Sequence, residues 1–134
     1  MLVGILHVDT VTLAWSFGLR NLRIPGQFIG VAGMPFDHAR NSVVNMALQN
    51  GFQYVGFLDS DVIPPNDAFL RLLNHKVPIV SGLYCRRSRP HGVPVAQKGG
   101  NWLTTLPGPG QNPLVEVDVV GAGCLLVHRS VFEN

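Results

Sequence analysis

The apolar run YVGFLD, residues 54–59, is the feature that most constrains how this chain can fold. Apolar residues occupy odd and even positions of the run alike, so both faces of the strand are apolar. A half-exposed strand would instead alternate apolar with polar side chains. A strand of this kind is typical of a sheet covered by helices on both faces. We therefore predict an α/β fold in which a mainly parallel sheet is flanked by helices.

The rest of the chain alternates short apolar runs with helical patterns, as that fold requires. Further strands are predicted at residues 2–8, 28–33, 77–84 and 115–129. Residues 86–112 are dense in Gly and Pro and are predicted to form a loop-rich excursion. The organisation predicted from these patterns is a single domain over residues 1–134.

Three segments carry helix signals. The first is residues 12–22, with an inward face predicted for Leu13, Trp15 and Phe17. The second begins after an N-cap at Asp37 and ends at Asn50, before a glycine. Its predicted buried stripe is Ala39, Val43 and Ala47. The third is a short helix that Asn66 is predicted to cap and that runs to Leu73.

Charge and hydropathy exclude several kinds of partner and location. Ten Lys and Arg against eight Asp and Glu give a formal charge of +2, too small an excess to predict nucleic acid or an anionic membrane as the main partner. The amino-terminal residues lack a basic region before the apolar stretch, so no secretory peptide is predicted. No apolar run reaches the roughly 18 residues of a transmembrane helix. Cys85 and Cys124 fit no metal-binding spacing, and we predict a cytoplasmic protein with reduced thiols.

Two carboxylates, Asp59 and Asp61, follow the buried strand. Ligands of open α/β sheets bind outside the carboxyl ends of the strands. The two-residue period of extended chain predicts that both side chains point the same way. The two negatively charged carboxylates repel each other, and a bound divalent cation relieves this repulsion. The alternative interpretation is that Asp59 caps the local turn and Asp61 is solvated.

Longer stretches around this pair resemble a known family. They are ARNSVVNMALQNGFQYVGFLDSDVIPPNDAFLRLL at residues 39–73, VPIVSGLYCRR at 77–87 and VDVVGAGCLLVHRSVF at 117–132. On these stretches the chain is similar to nucleotide-sugar-dependent glycosyltransferases, particularly the family-two-like enzymes. The resemblance implies the GT-A architecture, a Rossmann-like nucleotide-diphospho-sugar transferase fold. It also implies metal-dependent transfer of a sugar from a nucleotide-diphosphate donor to an unknown acceptor hydroxyl.

The resemblance also implies which residues form the site. Asp61 would be the strongest ligand for Mn²⁺ or Mg²⁺, which bridges the donor diphosphate, and Asp59 would contact the ribose or the metal. The segment from His7 to Thr10 would receive the base. For the helix residues Arg40 and Asn41, a solvated helical turn is the alternative. The nucleotide-sugar-binding residues implied are Val8, Asp9, Thr10, Arg40, Asn41, Asp59, Ser60, Asp61, Gly121 and Gly123.

A basic cluster after the fourth strand is a second candidate contact for phosphate or acceptor, because guanidinium groups bind phosphate at two points. The alternative is a solvated basic loop. The cluster and its neighbouring aromatic residue are Tyr84, Arg86, Arg87, Arg89 and His91.

The general base is not identified in the sequence. In inverting members of the family it follows the Gly-x-Gly strand and the next helix, a position beyond Asn134, and Asp118 is a secondary candidate. Ser130 and Glu133 fit a capping box that opens a further helix. We therefore predict that the catalytic domain is incomplete at its C-terminus and that the chain self-associates. The residues predicted to be exposed for that reason are Leu125, Val127 and Phe132.

Two other functions stay open at this point. Asp59-Ser60-Asp61-Val62 also fits the signature of HAD-type phosphatases, in which the first Asp is the nucleophile, although no adjacent acidic pair follows residue 61. The chain is also compatible with a nucleotide- and metal-binding module that does not turn over. A nucleotidyltransferase is disfavoured, because HVDTVTLAW after the first strand is neither Gly-rich nor basic.

Overall fold

The structure is a computed structural model, and it describes residues 1–8, 10–85, 94–104 and 114–133. The chain divides into two compact units. Unit 1 comprises Met1–Gly82 and Ala122–Asn134, and unit 2 comprises Leu83–Gly121. The prediction of one domain with an excursion at residues 86–112 stays a prediction.

Strands and helices alternate along the first part of unit 1, as the apolar pattern predicts. The strands of the described residues are β1 (Leu2–Leu6), β2 (Gln27–Val31), β3 (Tyr54–Asp59), β4 (Ile79–Ser81), β5 (Ala96–Lys98), β6 (Asn101–Trp102), β7 (Val119–Val120) and β8 (Cys124–His128). The α-helices are α1 (Leu13–Asn21), α2 (Phe36–Gln49) and α3 (Ala68–Asn74). The α/β class is therefore confirmed.

Unit 1 is built on a mixed five-stranded sheet in the order β2-β1-β3-β8-β4. β1 pairs in parallel with both β2 and β3, and β8 pairs antiparallel with both β3 and β4. Four strands therefore run one way, and β8 runs against them between β3 and β4. The mainly parallel sheet that we predicted is instead mixed.

Helices cover both faces of this sheet, which explains the uninterrupted apolar sequence of β3. The α1-face cluster consists of Val3, Ile5, Trp15, Leu22, Leu58, Ala68, Phe69, Leu72, Val80, Cys124 and Leu126. The α2-face cluster consists of Leu2, Leu6, Ala39, Val43, Ala47, Val55 and Phe57. Successive strand residues alternate between the clusters, as the two-residue period of a strand requires.

The predicted stripe of α2 is confirmed, because Ala39, Val43 and Ala47 are all buried. The helix lies close to the sheet at Gly4, where a Cβ atom would lie only 2.6 Å from a methyl carbon of Val43. The stop after Asn50 is also present, with Gly51 in the left-handed region at φ +72°.

The inward face predicted for α1 is wrong at two of its three residues. Leu13 is 72% exposed and Phe17 is 54% exposed, whereas Trp15 is buried. The reason is that apolar side chains are spread around this nine-residue helix. Their spacing therefore does not identify which face is buried.

Three predicted caps also differ from the structure. The N-cap of α2 is Pro35 rather than Asp37, and that of α3 is Asp67 rather than Asn66. At the chain end, His128 caps a short 3₁₀ helix at Arg129–Val131 and accepts a hydrogen bond from the Ser130 amide. Where the capping box predicted reciprocal bonds between Ser130 and Glu133, the Ser130 amide donates to His128 and Glu133 pairs with Arg129.

The strand predicted at residues 115–129 is divided between the two units. β7 belongs to the three-stranded sheet β6-β5-β7 of unit 2, and β8 belongs to unit 1. Val127 is buried in β8, and Leu125 and Phe132 pack partly buried against the α2-face cluster. The predicted exposure of Val127 is therefore wrong.

Across the described residues, no helix has the length and apolar character needed to cross a membrane.

Candidate functional site

A topological switch point lies at the carboxyl ends of β1 and β3, and we refer to the edge of the sheet there as the opening. From β1 the chain passes through α1 to β2 on one side, and then through α2 to β3 on the other side of β1. α1 and α2 pack on opposite faces of the sheet. Open α/β sheets bind ligands at such a switch point, outside the carboxyl ends of the strands.

The acidic pair lies at this opening, in a tight turn. β3 ends at Asp59, which lies opposite Leu6 at the end of β1. The Val62 amide donates to the Asp59 carbonyl at 3.1 Å, so residues 59–62 form a β-turn. Asp61 lies within the turn and not in extended chain. The two-residue period therefore does not apply to Asp61, and the argument that aligned its carboxylate with that of Asp59 is wrong.

A buried tryptophan holds both ends of this turn. The indole Nε1–H of Trp15 donates to the Val62 carbonyl at 2.9 Å and to the Asp59 carbonyl at 3.2 Å. Buried indole N–H groups usually find such partners. Sequence reasoning placed Trp15 inward but did not identify these bonds, because the residues they join are 44 and 47 positions apart.

Arg40 and Asp59 form an ion pair across the opening. Arg40 lies in the second turn of α2, and its Nη2 donates to Oδ1 of Asp59 at 3.1 Å. Both side chains are about one-third exposed, at 30% and 31%. The guanidinium carbon of Arg40 also lies 6.0 Å from the ring centroids of Phe36 and Phe57. The structure thus brings together two residues that the sequence predicted separately.

The environment of Asp59 shifts the pKa of its carboxyl group. Burial raises the pKa of Asp59 above its ordinary value, the charge and hydrogen bond of Arg40 pull it down, and the neighbouring Asp61 adds to the rise. Burial is the largest of these effects. A carboxylate held under such conditions gains from an added positive charge.

The end of β1 supplies further predicted residues. The His7 amide donates to the Val31 carbonyl at 3.2 Å, which ties the end of β1 to the end of β2. Val8 is 63% exposed, and Thr10 and Asn41 are also exposed. Asp9, the remaining predicted residue of this segment, lies outside the described residues.

The other flank of β3 is formed by the start of β8. The Asp59 amide donates to the Gly123 carbonyl at 3.0 Å, so Gly123 lies beside the acidic turn. The next residue, Cys124, is buried, and this burial raises the pKa of its thiol to about 11. At neutral pH this thiol is protonated and does not serve as a nucleophile.

The remaining predicted residues lie in unit 2 or outside the described part of the chain. Gly121 packs against Tyr84, whose hydroxyl lies where a Cβ atom of Gly121 would be. Asp118 is exposed, and its Oδ2 accepts a hydrogen bond from the Gly99 amide at 2.6 Å, which ties down the turn between β5 and β6. The predicted residues outside the described ranges are Arg86, Arg87, Arg89 and His91.

Asp59 and Asp61 are the carboxylates of the acidic turn that could bind a hard divalent cation. Among the residues that the structure describes, no group of three or more His, Cys, Asp and Glu side chains is arranged to hold a metal. Asp59 and Asp61 would therefore supply one or two carboxylates, with water and phosphate oxygens completing the shell. Mg²⁺ is usually bound in this way.

Comparison with known proteins shows the fold alone. No protein-family model matches the chain, and no curated protein sequence matches it. Among solved structures, the chain is similar to the viral protein A197 from STIV, with a TM-score of 0.73 and 19% sequence identity. The match covers 98% of this chain and 66% of A197, so the chain spans just under two thirds of that protein.

These comparisons correct the family assignment made from the sequence. The solved structure A197, to which the chain is similar, is that of a viral protein, and no family model supports an assignment to the glycosyltransferases. The stretches that resembled the family contain β3, β4 and β8, and buried apolar strands of this kind recur in many α/β proteins. Any function must therefore be argued from the strand-end site itself, which we define as His7, Val8, Arg40 and the turn at residues 59–62.

Proposed function

We propose that the strand-end site binds a divalent cation together with the diphosphate of a nucleotide-sugar, and that the chain transfers the sugar to an acceptor hydroxyl. The observation that carries this proposal is the position of Asp59 and Asp61 in a turn at the switch point between β1 and β3. This geometry supports the binding of a cation and a diphosphate, whereas the transfer of a sugar is the part of the proposal that the release assay tests.

The carboxylates of Asp59 and Asp61 are the groups that would hold the cation. The two carboxylates at the end of the buried strand repel each other, and burial of Asp59 makes its negative charge still less favourable. A bound Mn²⁺ or Mg²⁺ would remove that cost and offset the charge that develops on a departing nucleoside diphosphate.

Arg40 provides the positive charge that the chain itself contributes. Its guanidinium has five N–H donors in a planar fork, and the structure shows one of its nitrogens on Asp59. Arg40 can therefore orient the Asp59 carboxylate and, with its remaining donors, contact a phosphate oxygen. Val8 and Thr10 are exposed after β1, and we propose that they contact the rest of the nucleotide.

A binding module without turnover is the second candidate. Transfer requires a base that deprotonates the acceptor hydroxyl, and Asp118, the candidate within the chain, is hydrogen-bonded to the Gly99 amide in unit 2. The acceptor, the sugar and the cytoplasmic location predicted from the sequence are parts of the proposal.

Calorimetry with Mn²⁺ and UDP, GDP, ADP or CDP tests the binding step. We expect at least one nucleoside diphosphate to bind only when Mn²⁺ is present, and Asp61→Asn to abolish that binding. Glu116→Gln removes the same charge from an exposed residue of unit 2 and should bind normally. Binding that survives both chelator and Asp61→Asn would overturn the proposal.

Release of nucleoside diphosphate from the matching nucleotide-sugars then tests the chemical step. Release that requires both Mn²⁺ and an added acceptor supports transfer. Metal-dependent binding with no release would identify the chain as a binding module.

A further inference from the structure

We propose that Trp15 is a positioning residue that fixes the acidic turn through its indole N–H, so that Asp59 and Asp61 are presented in one arrangement. The ligand named in the test rests on the proposed function. The effect on the turn does not, so the two ideas can fail separately.

The contacts of Trp15 are placed where they restrain the turn most. Its Nε1–H is shared between the carbonyls of Asp59 and Val62, the first and last residues of the turn. Together with the bond from the Val62 amide to the Asp59 carbonyl, these contacts fix the orientation of the peptide groups at both ends. The two acids are at the start and in the middle of the restrained segment.

The indole is itself held rigidly by its own surroundings. Trp15 is 5% exposed and belongs to the α1-face cluster. Its backbone amide donates to Oγ1 of Thr12, the N-cap of α1, at 3.2 Å. The bond to Thr12 belongs to the backbone of α1, and it is the packing of the indole in the core that lets this side chain transmit a fixed geometry to its neighbours.

α1 also approaches the residues that follow the turn. At Gly18 a Cβ atom would lie 2.9 Å from Cγ2 of Ile63. The helix therefore contacts both the turn, through Trp15, and its exit, through Gly18. Supporting residues that orient metal ligands typically change metal affinity about 10- to 100-fold when they are replaced.

Trp15→Phe is the variant that tests the proposal, because phenylalanine keeps an aromatic ring in the core but has no N–H donor. Trp102→Phe is the matched control, since it makes the same chemical change in β6 of unit 2. Thr12→Ala is the stability control, because it removes the cap of α1 and leaves the indole in place.

The first measurement is hydrogen exchange of the Val62 amide, followed by NMR well below the melting temperature. We expect Trp15→Phe to speed this exchange about tenfold or more relative to the Val55 amide in the middle of β3, and both control variants to leave the ratio unchanged. An unchanged ratio in Trp15→Phe would overturn the proposal, whether or not any ligand binds.

The second measurement is calorimetric affinity for Mn²⁺ with the nucleoside diphosphate that the wild-type chain binds. We expect a roughly tenfold or greater loss in Trp15→Phe, and affinities within about twofold of wild type in Trp102→Phe and Thr12→Ala. Equal losses in Trp15→Phe and Thr12→Ala would show a general stability effect and contradict positioning. If the wild-type chain binds none of the nucleotides, the proposed function fails, and the exchange ratio alone decides the role of Trp15.

Discussion

Two of the crossover helices of unit 1, α1 and α2, attach to the same sheet in different ways. α2 buries a stripe of small side chains, Ala39, Val43 and Ala47, and comes so close to β1 that only glycine fits at position 4. α1 buries one large aromatic residue, Trp15, whose polar atom bonds to the turn after β3. The attachment of α2 depends on shape, and that of α1 depends on a hydrogen bond as well as on packing.

Because of this difference, the two faces of the sheet contribute differently to stability and to the geometry of the strand-end site. A close-packed stripe gives stability but little control over any one loop, because its contacts are many and individually weak. A single directed bond gives little stability but fixes the atoms that it joins. We therefore expect changes on the α2 face to alter stability and changes near Trp15 to alter the strand-end site.

Gly4→Ala should have the largest effect on stability. The added Cβ would lie 2.6 Å from a methyl carbon of Val43, and overpacking of this kind costs about 1–3 kcal/mol of unfolding free energy. Denaturant melts measure the loss. Gly30→Ala is the control, because its Cβ would meet only the tip of the His7 ring, at 3.3 Å.

The double variant Gly4→Ala with Val43→Ala sharpens this test. If the clash is the cause, removing the methyl groups of Val43 should make the double variant more stable than the sum of the two single losses. Strict additivity would show that α2 does not depend on close approach at Gly4.

Thr12→Ala should lower the unfolding free energy by about 1 kcal/mol, because it removes the side-chain cap of α1. α2 has no such cap at Pro35, so this loss is specific to the α1 side. Thr12→Ser keeps the hydroxyl and should restore most of the stability. A full loss in Thr12→Ser would mean that the methyl group, and not the cap, is what matters.

Asp59→Asn should change how stability depends on pH, with an effect moderated by the 31% exposure of this side chain. Because burial raises the pKa of Asp59, the folded chain binds the proton more tightly than the unfolded chain. That contribution is present at acid pH and is lost as the pH rises through the raised pKa. The advantage of Asp59→Asn over wild type should therefore grow from pH 3 to pH 7, measured by melts in chelator.

Asp67→Asn provides a control of opposite sign. The hydrogen bond from Arg71 lowers the pKa of Asp67, so its contribution is present at neutral pH and is lost as the pH falls through the lowered pKa. The disadvantage of Asp67→Asn should shrink towards acid pH. Parallel trends in the two variants would contradict the assigned environments.

Leu13→Ser and Phe17→Ser should have the smallest effects, each within about 0.5 kcal/mol, because both side chains are largely exposed. Leu22→Ser, which replaces a buried residue at the end of the same helix, should cost clearly more in the same melts. A large loss at Leu13 or Phe17 would show that another surface covers this side of α1 in solution.

The sequence predicted correctly those elements whose local pattern fits only one secondary structure and one buried face. β3 was predicted at residues 54–59, as observed, because an apolar run on both faces fits only a covered strand. The stripe of α2 was correct because fourteen residues give the helical period enough turns to define a face. α1 is too short and too evenly apolar, so its face is set by what Trp15 can reach in the folded chain.

The site was predictable in its residues but not in its geometry. A pair of acids after a buried strand identified Asp59 and Asp61, and Arg40 was named independently. Their ion pair joins positions 19 residues apart and depends on how α2 lies across the sheet. A local turn at Asp59 was considered only as an alternative, although Asp and Ser are common turn residues. The tie of this turn to Trp15 was missed because it follows from tertiary packing.

The indole N–H of Trp15 donates only to backbone carbonyls, and this has a consequence for how the protein can change over time. Every residue type has that carbonyl, so the turn keeps its anchor whichever side chains stand at positions 59, 60 and 61. Chemistry at the opening can therefore be exchanged by mutation without rebuilding the support beneath it. The side chains of the turn can therefore vary, whereas α1, which supports the turn, has to keep its structure.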